Sequence, residues 1–163
     1  MIKKITMAAM LVMASGAQLS ASNISLYAGA SQVSVDSESN VGGLIGMEYK
    51  LFDALNKKLS SNVMIDMTFF DSGYLGSVAV DLRYKIVESF SLGVKLGGAG
   101  YSQTVDTQTT DAQGFVYGAD AFYNFNDSHA VGLAYTTGSL SPKETTAVSV
   151  DVSQASLVYK YHF

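Results

Sequence analysis

The 163-residue sequence has no cysteine, no tryptophan and one proline, and only 15% of its residues are charged. The absence of cysteine excludes disulfides and thiolate metal sites. An average soluble domain has roughly 25% charged residues, so the low charge needs a structural reason. After the first 22 residues, no apolar run approaches the ~20 residues that a membrane-spanning helix requires. The apolar content, 48% of the chain, must therefore be explained in another way.

The first 22 residues have the layout of a secretory signal peptide. They read MIKKITMAAMLVMASGAQLSAS, with two lysines, a short apolar run and then small and polar residues. The run is too short for a membrane anchor, so we predict cleavage after Ala21 or Ser22. Cleavage removes two of the ten basic residues and none of the 14 acidic ones, which leaves a net charge of −6. This acidic chain, residues 23–163, is predicted to form one domain and does not suit nucleic acid as a partner.

From Asn23 onward, apolar residues recur with a period of two, which is typical of β-strands. The pattern divides the chain into eight segments. The fourth, Ser77 to Ile86, sets valine, leucine, tyrosine and isoleucine on one face against serine, alanine, aspartate, arginine and lysine on the other. Eight segments of ~10 residues, each half apolar, are what a small closed antiparallel barrel requires.

The residues between the apolar positions indicate which way the barrel faces. In a soluble barrel they would meet water and would be rich in lysine, glutamate and threonine, but here glycine, alanine and serine dominate. Small residues suit the crowded interior of an eight-stranded barrel. Tyrosine and phenylalanine gather at the segment ends, as the interfacial girdles of a membrane barrel require. We therefore predict an all-β, eight-stranded antiparallel up-and-down transmembrane β-barrel, and keep a soluble barrel or sandwich as the alternative.

Long and short connections between the segments tend to alternate. The outer loops are predicted to span Val33–Asn40, Phe70–Leu75, Ser102–Ala112 and Gly138–Val152, and are rich in serine, threonine and aspartate. Two connections depart from the alternation: FDALNKKLSS is long for a periplasmic turn, and DSGY is short for an outer loop. In the last loop the valines alternate out of phase with the next strand, which predicts a bulge or a β extension near Ser153.

Charged residues on the inward stripe predict a lumen charge cluster. Its members are Glu48, Lys50, Asp66, Asp81, Arg83, Lys85, Lys95, Asp120 and Lys160. Counting from the strand ends puts all but Lys50 and Lys85 at similar depths. Because an isolated buried ion is costly, the opposite charges are expected to pair and plug the lumen. The alternative is a gate, in which the pairs exchange partners and admit ions.

Catalytic and metal-binding patterns are absent from the sequence. His129 falls in a tight turn and His162 on the inward face of the last segment, and neither belongs to a pattern that pairs a nucleophile with a base. We therefore expect no enzymatic activity, no cofactor and no metal site. Asp36 and Glu38 could attract divalent cations, but they do not have EF-hand spacing.

The last segment carries a specific resemblance. It reads ASLVYKYHF, with aromatic residues at Tyr159, Tyr161 and Phe163. The mature chain resembles the small bacterial outer-membrane β-barrels of the OmpA/OmpX type, which include Ail-like and Opa-like surface proteins. In that family a terminal phenylalanine preceded by alternating aromatics is the recognition signal for the outer-membrane assembly machinery. The resemblance implies that these three residues form that assembly signal and that the protein resides in the bacterial outer membrane.

The resemblance and the lumen charges together give the expected function. We expect a monomeric, non-enzymatic barrel with a structural or adhesin-like role, whose outer loops contact a host or cell-surface ligand. Outer-membrane lipid and lipopolysaccharide are its expected surroundings. The alternative is a narrow, porin-like channel for ions or small solutes, gated by the lumen charges.

Overall fold

The computed structural model describes residues 23–36, 38–105, 108–142 and 149–163, which form a closed antiparallel barrel. Each strand pairs with the next along the chain, and the last pairs with the first. The strands are β1 (Ile24–Val35), β2 (Glu38–Ala54), β3 (Leu59–Phe70), β4 (Gly73–Val87), β5 (Phe90–Val105), β6 (Gln108–Asn124), β7 (His129–Pro142) and β8 (Val150–His162). The predicted fold class is confirmed. The predicted signal peptide lies outside the described residues.

The exterior of the barrel is apolar and its interior contains the charges. Phe115 and Leu133 are 81% and 65% exposed on the outer face, whereas Asp81 and Lys160 are 0% and 1% exposed inside. This arrangement is the reverse of a soluble barrel, so the soluble alternative is wrong. The outward stripe is suited to lipid, as predicted. Within the described ranges, no helix is long and apolar enough to cross a membrane.

The two ends of the barrel differ in their connections. Both ends of the described chain and the turns after β2, β4 and β6 lie at one end, which we call the periplasmic end. The connections after β1, β3, β5 and β7 lie at the opposite end, which we call the extracellular end. These names follow the orientation predicted from the sequence.

The strands are longer than the apolar pattern predicted, and the connections are correspondingly shorter. β5 continues to Val105 and β6 begins at Gln108, so most of the predicted outer loop Ser102–Ala112 is a β-hairpin. The prediction of a long periplasmic connection between β2 and β3 is also wrong, because only residues 55–58 separate the two strands. Backbone pairing does not depend on which side chains face lipid, so strands can extend beyond the apolar band.

The out-of-phase valines before Ser153 mark a β extension rather than a bulge. Ser153 pairs in regular register with Ser34 of β1 and Thr137 of β7. Val150 and Val152 are buried on the inward face of the same strand. Their parity differs from that of the lipid-facing residues because they belong to the interior.

These valines are part of a second feature that the sequence analysis missed. Eleven buried residues pack inside the extracellular end, and we call them the outer apolar cluster: Val33, Val35, Phe70, Leu75, Ala99, Tyr101, Ala112, Val116, Leu140, Val150 and Val152. Val33 and Leu140 are fully buried, and the rings of Phe70 and Tyr101 stack with centroids 6.1 Å apart. The extracellular part of the interior is therefore an apolar core, whereas the sequence predicts a lumen plugged by paired charges.

Below the outer apolar cluster lies a layer of neutral polar groups. The side-chain nitrogen of Gln154 donates to the hydroxyls of Ser31, Thr68 and Ser156 at 2.9 to 3.1 Å. Ser31 and Ser156 are themselves 2.7 Å apart. This layer separates the apolar cluster from the charges that follow toward the periplasmic end.

Candidate functional site in the barrel lumen

Arg83 of β4 holds three carboxylates from three strands. Its Nη1 donates to both oxygens of Glu48 at 2.9 Å. Its Nη2 lies 2.9 Å from Oδ2 of Asp81 and 3.3 Å from each oxygen of Asp120. Bidentate guanidinium–carboxylate contacts are strong and geometrically specific. One buried side chain thus joins β2, β4 and β6.

Lys160 of β8 completes this network. Its Nζ donates to Oε2 of Glu48 at 2.7 Å. It also lies 3.9 Å from the ring centroid of Phe122, and the guanidinium carbon of Arg83 lies 4.8 Å from the same centroid. Both cations therefore gain a cation–π contact with one ring. Phe122 was not predicted as a site residue, although its place on the stripe with Asp120 showed that it faces the lumen.

Two glycines make room for this network. Phe122 pairs across the strands with Gly132, and a Cβ on Gly132 would lie 2.5 Å from the phenyl ring. A Cβ on Gly93 would lie 2.5 Å from Oδ1 of Asp120 and 2.7 Å from Oδ1 of Asp81. Such contacts are too close for any side chain, so both positions require glycine as long as the network keeps this arrangement.

The other predicted lumen charges do not bond to Arg83. Asp66 accepts hydrogen bonds from Ser77 Oγ at 2.8 Å and Tyr27 OH at 3.3 Å. Lys95 interacts electrostatically with Asp66, but it makes no hydrogen bond or ion pair with a described residue. The structure therefore brings together five of the nine predicted residues: Glu48, Asp81, Arg83, Asp120 and Lys160. We call these five the charge network.

Lys50 and Lys85 lie at the periplasmic mouth, outside the charge network. Lys50 pairs at 3.1 Å with Asp53, which the sequence analysis did not select. Lys85 is exposed. Both line a cavity of about 510 Å³ that opens toward the periplasmic end and reaches Arg83. Glu48, Arg83 and Lys160 of the charge network thus line this periplasmic cavity, and neutral and apolar layers cover the network on the other side.

Each histidine contacts one hydroxyl. His162 Nδ1 lies 2.7 Å from Ser25 Oγ beside the periplasmic cavity, a pair that the sequence analysis missed because the two residues are at opposite ends of the chain. In the described part of the chain, no carboxylate bonds to the His162 ring to orient it as a catalytic base. His129 Nδ1 lies 2.5 Å from Tyr159 OH. No cluster of three or more histidine, aspartate or glutamate side chains within the described ranges is arranged to hold a metal ion.

The predicted assembly signal lies on the outer face at the periplasmic rim. Tyr161 and Phe163 meet edge to face, with ring centroids 4.9 Å apart, and His129 contacts Tyr161 in the same manner at 5.2 Å. The backbone N–H of Phe163 donates to the carbonyl of Ile24 at 3.2 Å. In the closed barrel the last strand is therefore paired on both sides, with β7 and with β1.

Comparisons with known proteins identify the fold. No family model matches the sequence, and no curated protein matches it. Among solved structures, Ail of Yersinia pestis is 18% identical with a TM-score of 0.60, covering 86% of this chain and 96% of Ail. Neisserial surface protein A is 15% identical with a TM-score of 0.60, covering 86% of this chain and 96% of that one.

The N-terminal barrel of OprF from Pseudomonas aeruginosa is also similar. It is 16% identical with a TM-score of 0.52, covering 85% of this chain and 97% of that domain. At such identities the likeness lies in the fold, and sites are not transferred by it. Together with the apolar exterior, this fold supports the predicted location in the bacterial outer membrane. The chain has the fold of the small eight-stranded outer-membrane β-barrels.

Proposed function

We propose that this protein is a closed, non-enzymatic outer-membrane barrel that acts through its extracellular end. The observation that carries the proposal is the outer apolar cluster. Its buried side chains, among them Val33 and Leu140 at 0% exposure, occupy the interior where a channel would need a polar opening. An eight-stranded barrel has room for little more than its own side chains, so these residues leave no route for ions or solutes.

A narrow channel is the alternative function. The cavity at the periplasmic end favours it, because about 510 Å³ of the interior is open to that side. Conduction would also require the charge network, the polar layer around Gln154 and the outer apolar cluster to open together. Loss of the paired buried charges alone is costly, so the closed barrel is the better proposal.

Charge at the extracellular end narrows the class of ligand. Five described acidic residues lie there: Asp36, Glu38, Asp71, Asp111 and Asp151. No described lysine or arginine lies at that end. The similar Ail structure is a complex with a heparin analogue, sucrose octasulfate. A surface of negative sign repels such a polyanion, so we propose that this barrel contacts neutral or cationic groups on another cell or host surface.

Membrane partners follow from the same proposal. The barrel contacts outer-membrane lipid and lipopolysaccharide through its apolar exterior, acts as a monomer, and is inserted by the outer-membrane assembly machinery. Tyr159, Tyr161 and Phe163 are the residues that we propose this machinery reads. Their alternation on the outer face and their position at the chain end support the proposal.

Intact cells that express the protein test the ligand class, because only the extracellular end is then accessible. We expect fluorescent heparin not to bind and a fluorescent lysine-rich peptide to bind. Neutralising Asp36, Glu38 and Asp151 together should abolish peptide binding, whereas neutralising the periplasmic acids Asp53, Glu88 and Asp127 should not change it. Heparin binding, or peptide binding that survives the extracellular substitutions, would contradict the proposed ligand class.

A further inference from the structure

The charge network contains one more negative than positive charge. Glu48, Asp81 and Asp120 are opposed only by Arg83 and Lys160. Lys95 does not change this balance, because the lumen also holds Asp66, a separate carboxylate, so one negative charge remains in excess when both are counted. An uncompensated charge at such a depth is strongly unfavourable, so the excess charge calls for a bound positive charge.

One oxygen in the network lacks a partner. Asp81 is fully buried, and its Oδ2 accepts from Asn62 Nδ2 and pairs with Arg83 Nη2, each at 2.9 Å. Its Oδ1 has no hydrogen-bond partner among the described residues. A buried carboxylate oxygen that accepts nothing is costly. The unpartnered Oδ1 of Asp81 therefore marks where a compensating positive charge would bind.

The unpartnered oxygen points to the same space as a second carboxylate. Oδ1 of Asp81 and Oδ1 of Asp120 lie 2.7 and 2.5 Å from the position that a Cβ on Gly93 would take. Gly93 is the strand partner of both Arg83 and Asp120. Two carboxylate oxygens thus converge above a position that has no side chain. Two carboxylates that face one small space can share one positive charge, as paired acids do.

We propose that Asp81 and Asp120 together bind one positive charge above Gly93, either a proton that they share or a small monovalent cation. The periplasmic cavity reaches the residues next to this site, because its lining includes Asn62 and Arg83, which contact Oδ2 of Asp81. The outer apolar cluster separates it from the extracellular end. The bound charge therefore exchanges with the periplasm, and the barrel interior responds to the periplasmic proton or cation concentration.

The charged and titratable side chains of the surrounding strands decide whether the protein itself can supply the positive charge. The titratable or charged groups facing this part of the lumen are Tyr27 of β1, Glu48 of β2, Asp66 of β3, Arg83 of β4, Lys95 of β5, Asp120 of β6 and Lys160 of β8. The neighbouring inward residues of β7 are Ala130, Gly132 and Ala134, which carry no charge. Arg83 and Lys160 are already paired with Glu48, Asp81 and Asp120, and Lys95 can balance only one further carboxylate, so the extra charge comes from solution.

Infrared spectroscopy of the folded barrel, recorded from mildly acidic to neutral pH, tests for the proton. A shared proton gives the carbonyl stretching band of a protonated carboxylic acid, and we expect Asp81→Asn to abolish it. The new amide can donate to Asp120 as the proton does, so this variant should fold; Asp120→Asn is the second variant. Asp66→Asn, a buried carboxylate outside the pair, should keep the band. Loss of the band in that control would overturn the assignment.

The stability of the barrel distinguishes a proton from a metal cation. If the folded state holds a proton that unfolded aspartate has released, the melting temperature falls as the pH rises from about 4, where unfolded aspartate ionises, to the pH at which the pair releases the proton, and Asp81→Asn removes this dependence. If sodium fills the site, the band is absent and the melting temperature rises when sodium replaces choline at constant ionic strength. No band and no dependence on pH or sodium would mean that water alone occupies the site, and would overturn the proposal.

Discussion

Arg83 and Glu48 are bonded over the intervening strand β3, with one guanidinium nitrogen 2.9 Å from each carboxylate oxygen. The pair joins strands that are not neighbours in the sheet, so it restrains the barrel across its interior. Without its partner, each of the two residues would be an unpaired charge in the barrel interior. Loss of one member of the network should therefore destabilise the barrel.

Arg83→Met should lower the free energy of unfolding by about 3 to 5 kcal/mol, because it leaves three buried carboxylates with only one lysine. Urea unfolding in lipid vesicles, followed by circular dichroism, measures the change. Lys57→Met, in the exposed periplasmic turn, is the control and should have little effect. A loss no greater than that of the control would show that the network does not stabilise the barrel.

Gly93→Ala should destabilise the barrel by about 1 to 3 kcal/mol through overpacking, because its Cβ would lie within 2.7 Å of two carboxylate oxygens. Gly100→Ala, on the same strand, is the matched control, since a Cβ there meets nothing within 4 Å. The two variants can be compared by thermal melting of the folded form on gels. Equal melting temperatures would contradict the close approach at Gly93.

Leu140→Ala should cost about 2 to 5 kcal/mol, because it opens a cavity in a packed apolar core. Leu133→Ala, on the lipid-facing side of the same strand and 65% exposed, should cost less because lipid can fill the space. Urea unfolding in vesicles compares the pair. If the lipid-facing variant lost as much stability as Leu140→Ala, the outer apolar cluster would not be a packed core.

Phe163→Ala should reduce the amount of folded barrel in the outer membrane of expressing cells, since it removes the terminal aromatic of the proposed assembly signal. Phe125→Ala, another exposed aromatic in the periplasmic turn region, is the control. Stability of the refolded, purified variants should be similar. Normal membrane amounts of Phe163→Ala would remove the support for a signal at this residue.

The sequence predicted the eight strands and their outward faces because a strand's period of two separates the two faces regardless of context. It did not predict the outer apolar cluster. An inward valine such as Val152 and a lipid-facing leucine look alike in sequence, and only their parity differs. The out-of-phase valines near Ser153 indicate inward-facing positions, but the sequence alone leaves open whether they mark a bulge or an extension.

Contacts within the lumen could not be predicted from the sequence in the same way. The convergence of Asp81 and Asp120 above Gly93 depends on the register of β4, β5 and β6 and on the barrel closure, which alternation does not determine. Lys95 shows the limit most clearly: it is the strand partner of Asp81, yet no hydrogen bond or ion pair joins these two described residues. Strand ends were underestimated because polar hairpins above the lipid carry no apolar signal.

Single-channel conductance in a planar bilayer tests the closed lumen most directly. The protein is refolded, and its folded state is checked by the shift in gel mobility between unboiled and boiled samples. Bilayers without protein and bilayers with heat-denatured protein are the controls. We predict no conductance above that of the controls, because the outer apolar cluster seals the extracellular end. Discrete, reproducible openings from the folded barrel would contradict the closed lumen and make the channel the better function.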